Sequence, residues 1–492
     1  SYVWFRDDFI ALGGDGNDMT VIAELNGIEQ TYTIHVLREA KLSSLTVTDP
    51  KNSTITLSPT FSKTKTDYTA TVLDSVDYLN LNAVDLVEDS DPDASQILFN
   101  GEVSEDGNYK WNLTETENKM VIKVDNGSAK ATEYNFTVTK QTSVKLTVTV
   151  DPEDALFALY NSDKQRIWPE DDGTFYLYPN QDYTYTVAKS GYVGQTGTLN
   201  LAENTAKEFS LERAPETEPL PSLKADYPGF RAGSDNQSVM DVKTPITKES
   251  IEVKWERQMG DYVSPSSGST PIIVGDKIYT QSGGKVYMLD KESGETLKSA
   301  DAVANAGFNL IPMTYGDGML FVLLSNGIIQ CYNASTLESL WIYKDPMGGG
   351  CNSPIRYDNG YIYIGFQNRK ANFVCISATD EDPTNPKEEK VPIWRVNGNG
   401  YQWDGAWTNE KYVFVVDQTG RLLCMDKATG EMVQCIQTKA SKVRSDISYY
   451  NGRIYFSTQS GYLYSYNIAE DGKVDTENLI EPLFLGSSTT ST

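Results

Sequence analysis

Residues 270–298 read TPIIVGDKIYTQSGGKVYMLDKESGETLK, and their plan returns four more times before the end of the 492-residue chain. A small or proline-bearing turn leads into an apolar strand. A second apolar strand follows and closes on an aromatic, then come a glycine turn, a third strand, and an Asp or Asn that opens the turn into an exposed fourth strand. The later copies begin IPMTYGDGMLFV at 311, SPIRYDNGYIYIG at 353, GAWTNEKYVFVV at 405 and DISYYNGRIYFS at 446. The closing aromatic falls at Tyr279, Phe321, Tyr363, Phe414 and Tyr455, in steps of 42, 42, 51 and 41. A period of about 40 residues with four short strands per unit predicts a β-propeller. The one long step is accounted for by a polar insertion, TDEDPTNPKEEK at 379–390, which reads as an extended hairpin tip.

The turn residue after each third strand is Asp290, Asn333, Ser377, Asp426 and Asn467. Six residues earlier stand Gly284, Gly327, Ala371, Gly420 and Gly461; a Gly there fits a tight turn needing φ > 0, and Ala371 is the exception, for which a different turn is expected. Two units carry a fuller phrase, Asp290-Lys-Glu-Ser-Gly294 and Asp426-Lys-Ala-Thr-Gly430. Asp suits the first place because its side chain accepts from backbone N–H groups two residues on. Trp341 and Trp394 lie on the fourth strands of units two and three, and Trp255 on a similar stretch before unit one. All three are expected to wedge between neighbouring blades.

This phrase resembles the repeat of the PQQ-like (quinoprotein alcohol dehydrogenase-like) propeller families. The run Tyr227-Pro-Gly-Phe-Arg-Ala-Gly-Ser-Asp-Asn-Gln237, followed by Val253-Lys-Trp255-Glu-Arg257, is similar to their usual lead-in. The resemblance covers 227–492 and speaks for fold more than activity, since the families include dehydrogenases, an outer-membrane assembly scaffold and many surface proteins. The Trp255 stretch reads as a fourth strand without its first three, and Ile480–Gly486 as a fourth strand followed by the start of another unit. The expectation is therefore a truncated propeller with six or more blades in the natural protein. The alternative is a five-bladed ring closed by the Trp255 strand.

Residues 1–226 are rich in Thr, Val, Asp and Asn and alternate with period two, as half-buried strands do. The run from Asn17 to Leu37 resembles the run from Asn118 to Thr139, each ending on a tyrosine-bearing strand. Residues 41–141 carry about seven short strands, enough to bury two inner faces as a sandwich. They resemble the cadherin-like β-sandwich of bacterial surface proteins, and 1–40 reads as the carboxyl-terminal half of another. Residues 142–213 resemble the small PEGA-like sandwiches, and 214–226 is a Pro-rich, stiff linker. The fold class is all-β throughout: sandwich modules, then the propeller.

The formal charge of −26 repels nucleic acid and anionic membranes. No stretch is apolar and long enough to span a bilayer as a helix. The domain resemblances imply an exported, cell-surface protein whose leader is not part of this sequence. The single histidine, His35, excludes a Ser-His-Asp triad in the propeller and a multi-histidine metal site. No adjacent Cys pair of the quinoprotein kind occurs, so a bound quinone is not expected. Cys331, Cys375 and Cys424 share one repeat position with Met288 and Ser465, which reads as a buried packing site for thiols rather than disulfides. Asp15–Asp18, Glu88–Asp93 and Glu170–Gly173 are candidate calcium ligands without EF-hand spacing, and as such read first as solvated turns.

Loops joining one blade's fourth strand to the next blade's first gather on one face of a propeller. Here they carry Tyr262, Phe308, Met347, Tyr401, Trp403 and Arg444. The densest stretch is NGNGYQWDGAW at 397–407, where glycines bring aromatic faces near backbone. Aromatic rings beside Asp, Asn and Arg suit a carbohydrate or protein ligand. The candidate binding residues are Tyr262, Phe308, Tyr401, Trp403 and Arg444, against packing between blades. The reading is a non-catalytic surface protein whose sandwiches space a ligand-binding propeller. The alternatives are a quinoprotein-like oxidoreductase, a glycan-active propeller enzyme, and a scaffold that pairs with exposed strands.

Overall fold

The computed structural model describes residues 17–25, 27–36, 40–51, 53–85, 95–125, 131–259, 269–306, 312–368, 370–438 and 443–486. Regular structure among them is strand, with three short 3-10 turns and no α-helix. The chain divides into two compact units. One comprises Ser1–Thr147, Trp168–Gln181 and Asn200–Thr205; the other comprises Val148–Ile167, Asp182–Leu199 and Ala206–Thr492. The stretch 142–213, read as one small sandwich, contributes to both.

The first unit holds a β-sandwich. A three-stranded sheet is made of Leu42–Thr48, Tyr78–Asp85 and Asn108–Asn112. A five-stranded sheet runs Asp67–Leu73, Thr132–Gln141, Glu117–Asp125, Gln96–Phe99 and Glu102–Ser104. Alternation puts Tyr68, Ala70 and Val72 inward on one strand and Met120, Ile122 and Val124 on another, in one core with Leu79, Trp111 and Phe136. Two further strands, Asn17–Leu25 and Ile28–Val36, pair Met19 with Ile34 and Val21 with Tyr32. Glu117–Asp125 and Thr132–Gln141 pair Met120 with Phe136 and Ile122 with Tyr134. The internal similarity seen in the sequence is thus a repeat of register. His35 lies on the strand Ile28–Val36.

The second unit holds five consecutive propeller sheets. Blade 1 is Ile272–Val274, Lys277–Ser282, Lys285–Asp290 and Thr296–Asp301, with Ala225–Tyr227 added beside the first strand. Blade 2 is Thr314–Gly316, Met319–Leu324, Ile328–Asn333 and Ser339–Lys344. Blade 3 is Arg356–Asp358, Tyr361–Gly365, Asn372–Ser377 and Trp394–Asn397. Blade 4 is Trp407–Thr408, Tyr412–Val416, Arg421–Asp426 and Met432–Gln437. Blade 5 is Ser448–Tyr450, Arg453–Ser457, Tyr462–Asn467 and Leu483–Phe484. Each consecutive pair shares a buried cluster, as where Phe321 and Trp341 of blade 2 meet Ile362 and Val374 of blade 3. The closing aromatics face one repeat position across the second and third strands: Tyr279 pairs Met288, Phe321 pairs Cys331, Tyr363 pairs Cys375, Phe414 pairs Cys424 and Tyr455 pairs Ser465. All five cysteines are free thiols, and only Cys435 is exposed.

Three expectations are corrected. The insertion 379–390 is not a free hairpin tip. Its Glu388–Glu389 adds a parallel fifth strand to Ser339–Lys344 of blade 2. Beneath it Lys390 contacts the Glu381 carboxylate, both side chains buried, with the ammonium 5.5 Å from the Trp341 ring centre. The insertion therefore covers the edge of an apolar strand that would otherwise offer unpaired backbone groups. Second, residues 251–259 form no strand, yet Trp255 still docks on blade 1. Third, the left-handed turn of unit one falls on Gly283 (φ 57) rather than Gly284, while Gly327, Gly420 and Gly461 hold it in units two, four and five.

Within this second unit a four-stranded sheet, Arg166–Ile167, Leu156–Tyr160, Asp182–Ala188 and Gln195–Asn200, packs on blades 3 and 4. Arg166 Nη1 donates to the Thr429 carbonyl at 2.6 Å, and the Arg395 guanidinium lies 3.9 Å over the Tyr160 ring.

Candidate functional site

The repeat phrase is structural. Asp290 Oδ1 accepts from the N–H groups of Glu292 (3.0 Å) and Ser293 (2.7 Å); Asp426 Oδ1 accepts from those of Ala428 (2.9 Å) and Thr429 (2.8 Å). The tryptophans wedge as expected, each by the same bond. The indole N–H donates to the carbonyl just after the next blade's turn residue: Trp255 to Lys291 at 3.1 Å, Trp341 to Ala378 at 3.1 Å, Trp394 to Lys427 at 2.8 Å. In blade 1 the tryptophan position holds Lys298, and Tyr279 Oη serves the Ala334 carbonyl instead, at 2.7 Å. In blade 4 it holds Gln434, which bonds Val474 in blade 5. Gly294 and Gly430 are required by this docking, since a Cβ would stand 2.5 Å from the Trp255 ring and 2.6 Å from the Trp394 ring.

The lead-in segment has a larger part than its sequence suggests. Ala225–Tyr227 pairs with the first strand of blade 1. The Pro228 carbonyl accepts from Tyr315 N (2.7 Å) in blade 2, and the Ser234 carbonyl accepts from Arg356 Nη1 (2.6 Å) in blade 3. Asp235 Oδ1 accepts from Trp407 Nε1 (3.1 Å) of blade 4, and its carbonyl from Tyr449 N (2.9 Å) of blade 5. Asn236 Nδ2 donates to the Ile447 carbonyl at 2.8 Å. One short segment therefore bonds the first strands of all five blades, or residues beside them. First strands are innermost in a propeller, so the segment runs along the axis. It bounds a cavity of about 140 Å³ with Tyr315, Ile355, Arg356 and Ala406.

Of the candidate binding residues, Tyr262 and Phe308 lie outside the described residues. Tyr401 is corrected: it is fully buried and tilted against Phe373 at 5.4 Å. Its ring fills the space left where Gly365 and Gly398 carry no side chain, each Cβ position being 2.2 Å from a tyrosine atom. Trp403 and Arg444 do come together. The ring is half-buried, its backbone is left-handed at φ 62, and the Arg444 guanidinium sits 5.2 Å from the ring centre. A bulky residue held there is strained, and such strain gathers at binding sites.

Beside them lie residues the sequence reading did not single out. Asp404 and Asp446 are 1% and 4% exposed. Asp404 Oδ2 accepts from Gln402 N at 2.9 Å, and Asp446 Oδ1 lies 3.2 Å from Arg231 Nη2 of the lead-in. Asp404 Oδ1, Asp446 Oδ2 and Ser353 Oγ are buried without a partner. Burial pushes the Asp404 carboxyl well above the usual range, with Asp417 and Asp446 adding to the effect. Burial also raises Asp446, to about 6, against the pull of Arg231. A signal was present in the repeat. Ser269, Ser353, Asp404 and Ser445 hold one position, three residues before the first-strand residue that pairs the closing aromatic. In blades 1 and 5 this serine caps the second strand, accepting from Gln281 N (3.0 Å) and Ser457 N (2.9 Å). In blades 3 and 4 the cap is not made.

The acidic run Glu170–Gly173 is a turn, with Lys51 3.6 Å from Glu170 and 3.7 Å from Asp171. The run at 88–93 lies outside the described residues, as do Asp15 and Gly16. Among the described residues no three His, Cys, Asp or Glu side chains group as metal ligands.

Residues 42–141 match the family model described as a cadherin-like beta sandwich domain, and 252–380 with 388–479 match the one described as outer membrane protein assembly factor BamB, of the PQQ-like repeat type. The chain thus carries a cadherin-like sandwich and PQQ-like repeats. Comparison with curated proteins gives no match. Among solved structures, a quinohemoprotein alcohol dehydrogenase of Pseudomonas putida HK5 aligns at 14% identity over 51% of this chain and 47% of its own, TM-score 0.37. One from Comamonas testosteroni aligns at 11% identity over 53% and 49%, TM-score 0.40. The computationally designed Ika8 protein aligns at 10% identity over 46% and 64%, TM-score 0.33. The alignments span about half the length of each dehydrogenase.

Proposed function

We propose that this pairing of a cadherin-like sandwich with PQQ-like repeats is a non-catalytic, exported surface protein whose propeller binds a glycan at Trp403 and Arg444. The observation that carries the reading is the partly buried Trp403 ring, held on strained backbone beside buried carboxylate oxygens that lack partners. A pyranose offers an apolar face to the indole and hydroxyl donors to the acids. Glycan-array binding by the intact protein, with loss on Trp403→Ala and unchanged thermal unfolding, tests it. Binding that survives this substitution removes Trp403 from the site. Export is tested by fractionating cells and finding the chain outside the cytoplasm.

A quinone cofactor does not fit these residues. A tricarboxylate quinone needs several cations, and Arg231 is engaged with Asp446, Arg421 with Asp417, and Arg356 with Thr408 and Ser234, while Arg444 lies over the Trp403 ring. The axial cavity of about 140 Å³ is also below the roughly 300 Å³ at which cofactor pockets begin. A second reading, a glycan-cleaving enzyme, is favoured by two buried acids with raised pKa beside an aromatic ring. Release of reducing ends from a bound glycan, abolished by Asp404→Asn, would establish it.

A further inference from the structure

Three loops converge at this face. Gly405, next to Asp404, has no room for a side chain: its Cβ position is 2.7 Å from Asp446 Cβ and 3.5 Å from Pro354 Cγ, and Pro354 follows Ser353. The chain segments that carry Ser353, Asp404 and Asp446 thus meet, and each of these three residues has one side-chain oxygen buried without a partner. When both carboxyls are ionised these oxygens are acceptors, apart from the serine's own hydroxyl proton, and a cation seated among them would favour that ionised form against burial. A buried carboxylate oxygen left unbonded is costly, and the arrangement asks for a donor that also brings positive charge. The repeat strengthens the point. The equivalent serines of blades 1 and 5 are tied into the sheet, while Ser353 of blade 3 and Asp404 of blade 4 make no such cap.

Arg231 shows what the site accepts. It reaches Asp446 from the axial segment, at φ 54 with Ala232 at φ 60, so two successive non-glycine residues are left-handed to deliver one guanidinium. Its side chain is 27% exposed while that of Asp446 is 2% exposed, so Arg231 stands between the acid and solvent.

We propose that Ser353, Asp404 and Asp446 form an acceptor site for one ammonium group, that the ligand is a glycan bearing free amino sugars, and that Arg231 is an internal competitor for it. The proposal rests on the glycan reading above and adds the amine. An amino sugar supplies both needs, a pyranose face for Trp403 and an ammonium for the acids. It displaces the guanidinium from Asp446 on binding, and no covalent step is involved.

The test is calorimetric titration of the intact protein at pH 7.5 in about 0.15 M salt, where charges beyond about 8 Å are screened. The probes are a glucosamine tetramer and its fully N-acetylated counterpart. The amino form binds more tightly, by about tenfold, the worth of one charged hydrogen bond. Asp404→Asn and Asp446→Asn each remove that preference and leave the acetylated form within about twofold, and Arg231→Ala raises affinity for the amino form by about tenfold. Ser353→Ala, a smaller change, must weaken the amino form if the aspartate variants fail to fold. Equal binding of both tetramers overturns the amine site and leaves the glycan reading standing. Binding of the amino form that is unchanged in Asp404→Asn and Ser353→Ala assigns it to surface charge and also overturns the site. Binding of neither tetramer overturns this proposal, and a glycan array then decides the broader one.

Discussion

Gly294 and Gly430 occupy the same repeat position, so the same substitution at each isolates what the neighbouring tryptophan contributes. Both are left-handed, at φ 72 and φ 76, and alanine there costs about 1–2 kcal/mol. Both new methyl groups would meet an indole, at 2.5 Å from Trp255 and 2.6 Å from Trp394. The environments differ. Trp394 is fully buried on a paired strand, between Phe373 and the Lys427 carbonyl. Trp255 is half-buried on a segment without a ladder. Trp394 therefore cannot yield, and Gly430→Ala adds an overpacking cost of about 2 kcal/mol to the backbone cost. Trp255 can swing outward, so Gly294→Ala costs little beyond the backbone. The expected totals are about 3–4 and about 1–2 kcal/mol. At roughly 3 °C per kcal/mol for a unit of this size, the propeller transition falls by about 10 °C and about 4 °C. Scanning calorimetry of the intact chain reads both. Equal shifts, or a larger one for Gly294→Ala, would refute the idea that blade docking is firm at Trp394 and loose at Trp255.

Asp446 gives a pH dependence. Its pKa in the folded protein is raised from an ordinary 3.8 to about 6, so the folded state holds the proton more tightly. Its contribution is most favourable below about pH 4 and is lost as pH rises through 6. Two units amount to about 3 kcal/mol, and Asp446→Asn should flatten the stability difference between pH 4 and pH 7 by up to that amount, measured by urea unfolding. Lys390→Met leaves Glu381 buried and unpaired and should destabilise by about 3–5 kcal/mol, while adding Glu381→Leu restores most of the loss in the same assay. Burial pushes the Cys331, Cys351, Cys375 and Cys424 thiols up and only Cys435 is exposed, so a disulfide reagent should titrate one thiol in the native protein and five after denaturation.

The closing aromatics and the position they face were legible to the residue because they rest on local pattern, although the turn glycine of unit one and the Trp255 strand were not. Alternation and turn chemistry place each closing aromatic opposite a small or soft residue, and the ladders pair them so. What escaped depends on chain segments far apart in sequence. Tyr401 looked like a surface ring, but Gly365 ends a second strand where other blades carry Gln281, Leu323, Val416 or Ser457, and the tyrosine occupies that gap. Asp404 and Asp446 sit in a loop position that reads as ordinary turn chemistry. Only the absence of the cap made by Ser269 and Ser445 sets Ser353 and Asp404 apart. The insertion 379–390 is polar enough to read as solvated, and its partner strand lies one blade back.

The axial segment has a kinetic consequence. Asn236 is made early on the ribosome, but the carbonyl it bonds at Ile447 comes 211 residues later. These hydrogen bonds belong to the slowest class of contact to close, because the loop between their ends must be ordered first. Until blade 5 emerges, the segment has nothing to hold at that end, and earlier blades wait with their innermost strands uncovered. The propeller should therefore mature in one late step that locks every blade together, and a cut in the chain just after Gln237 should be tolerated far better once that step is complete than before it.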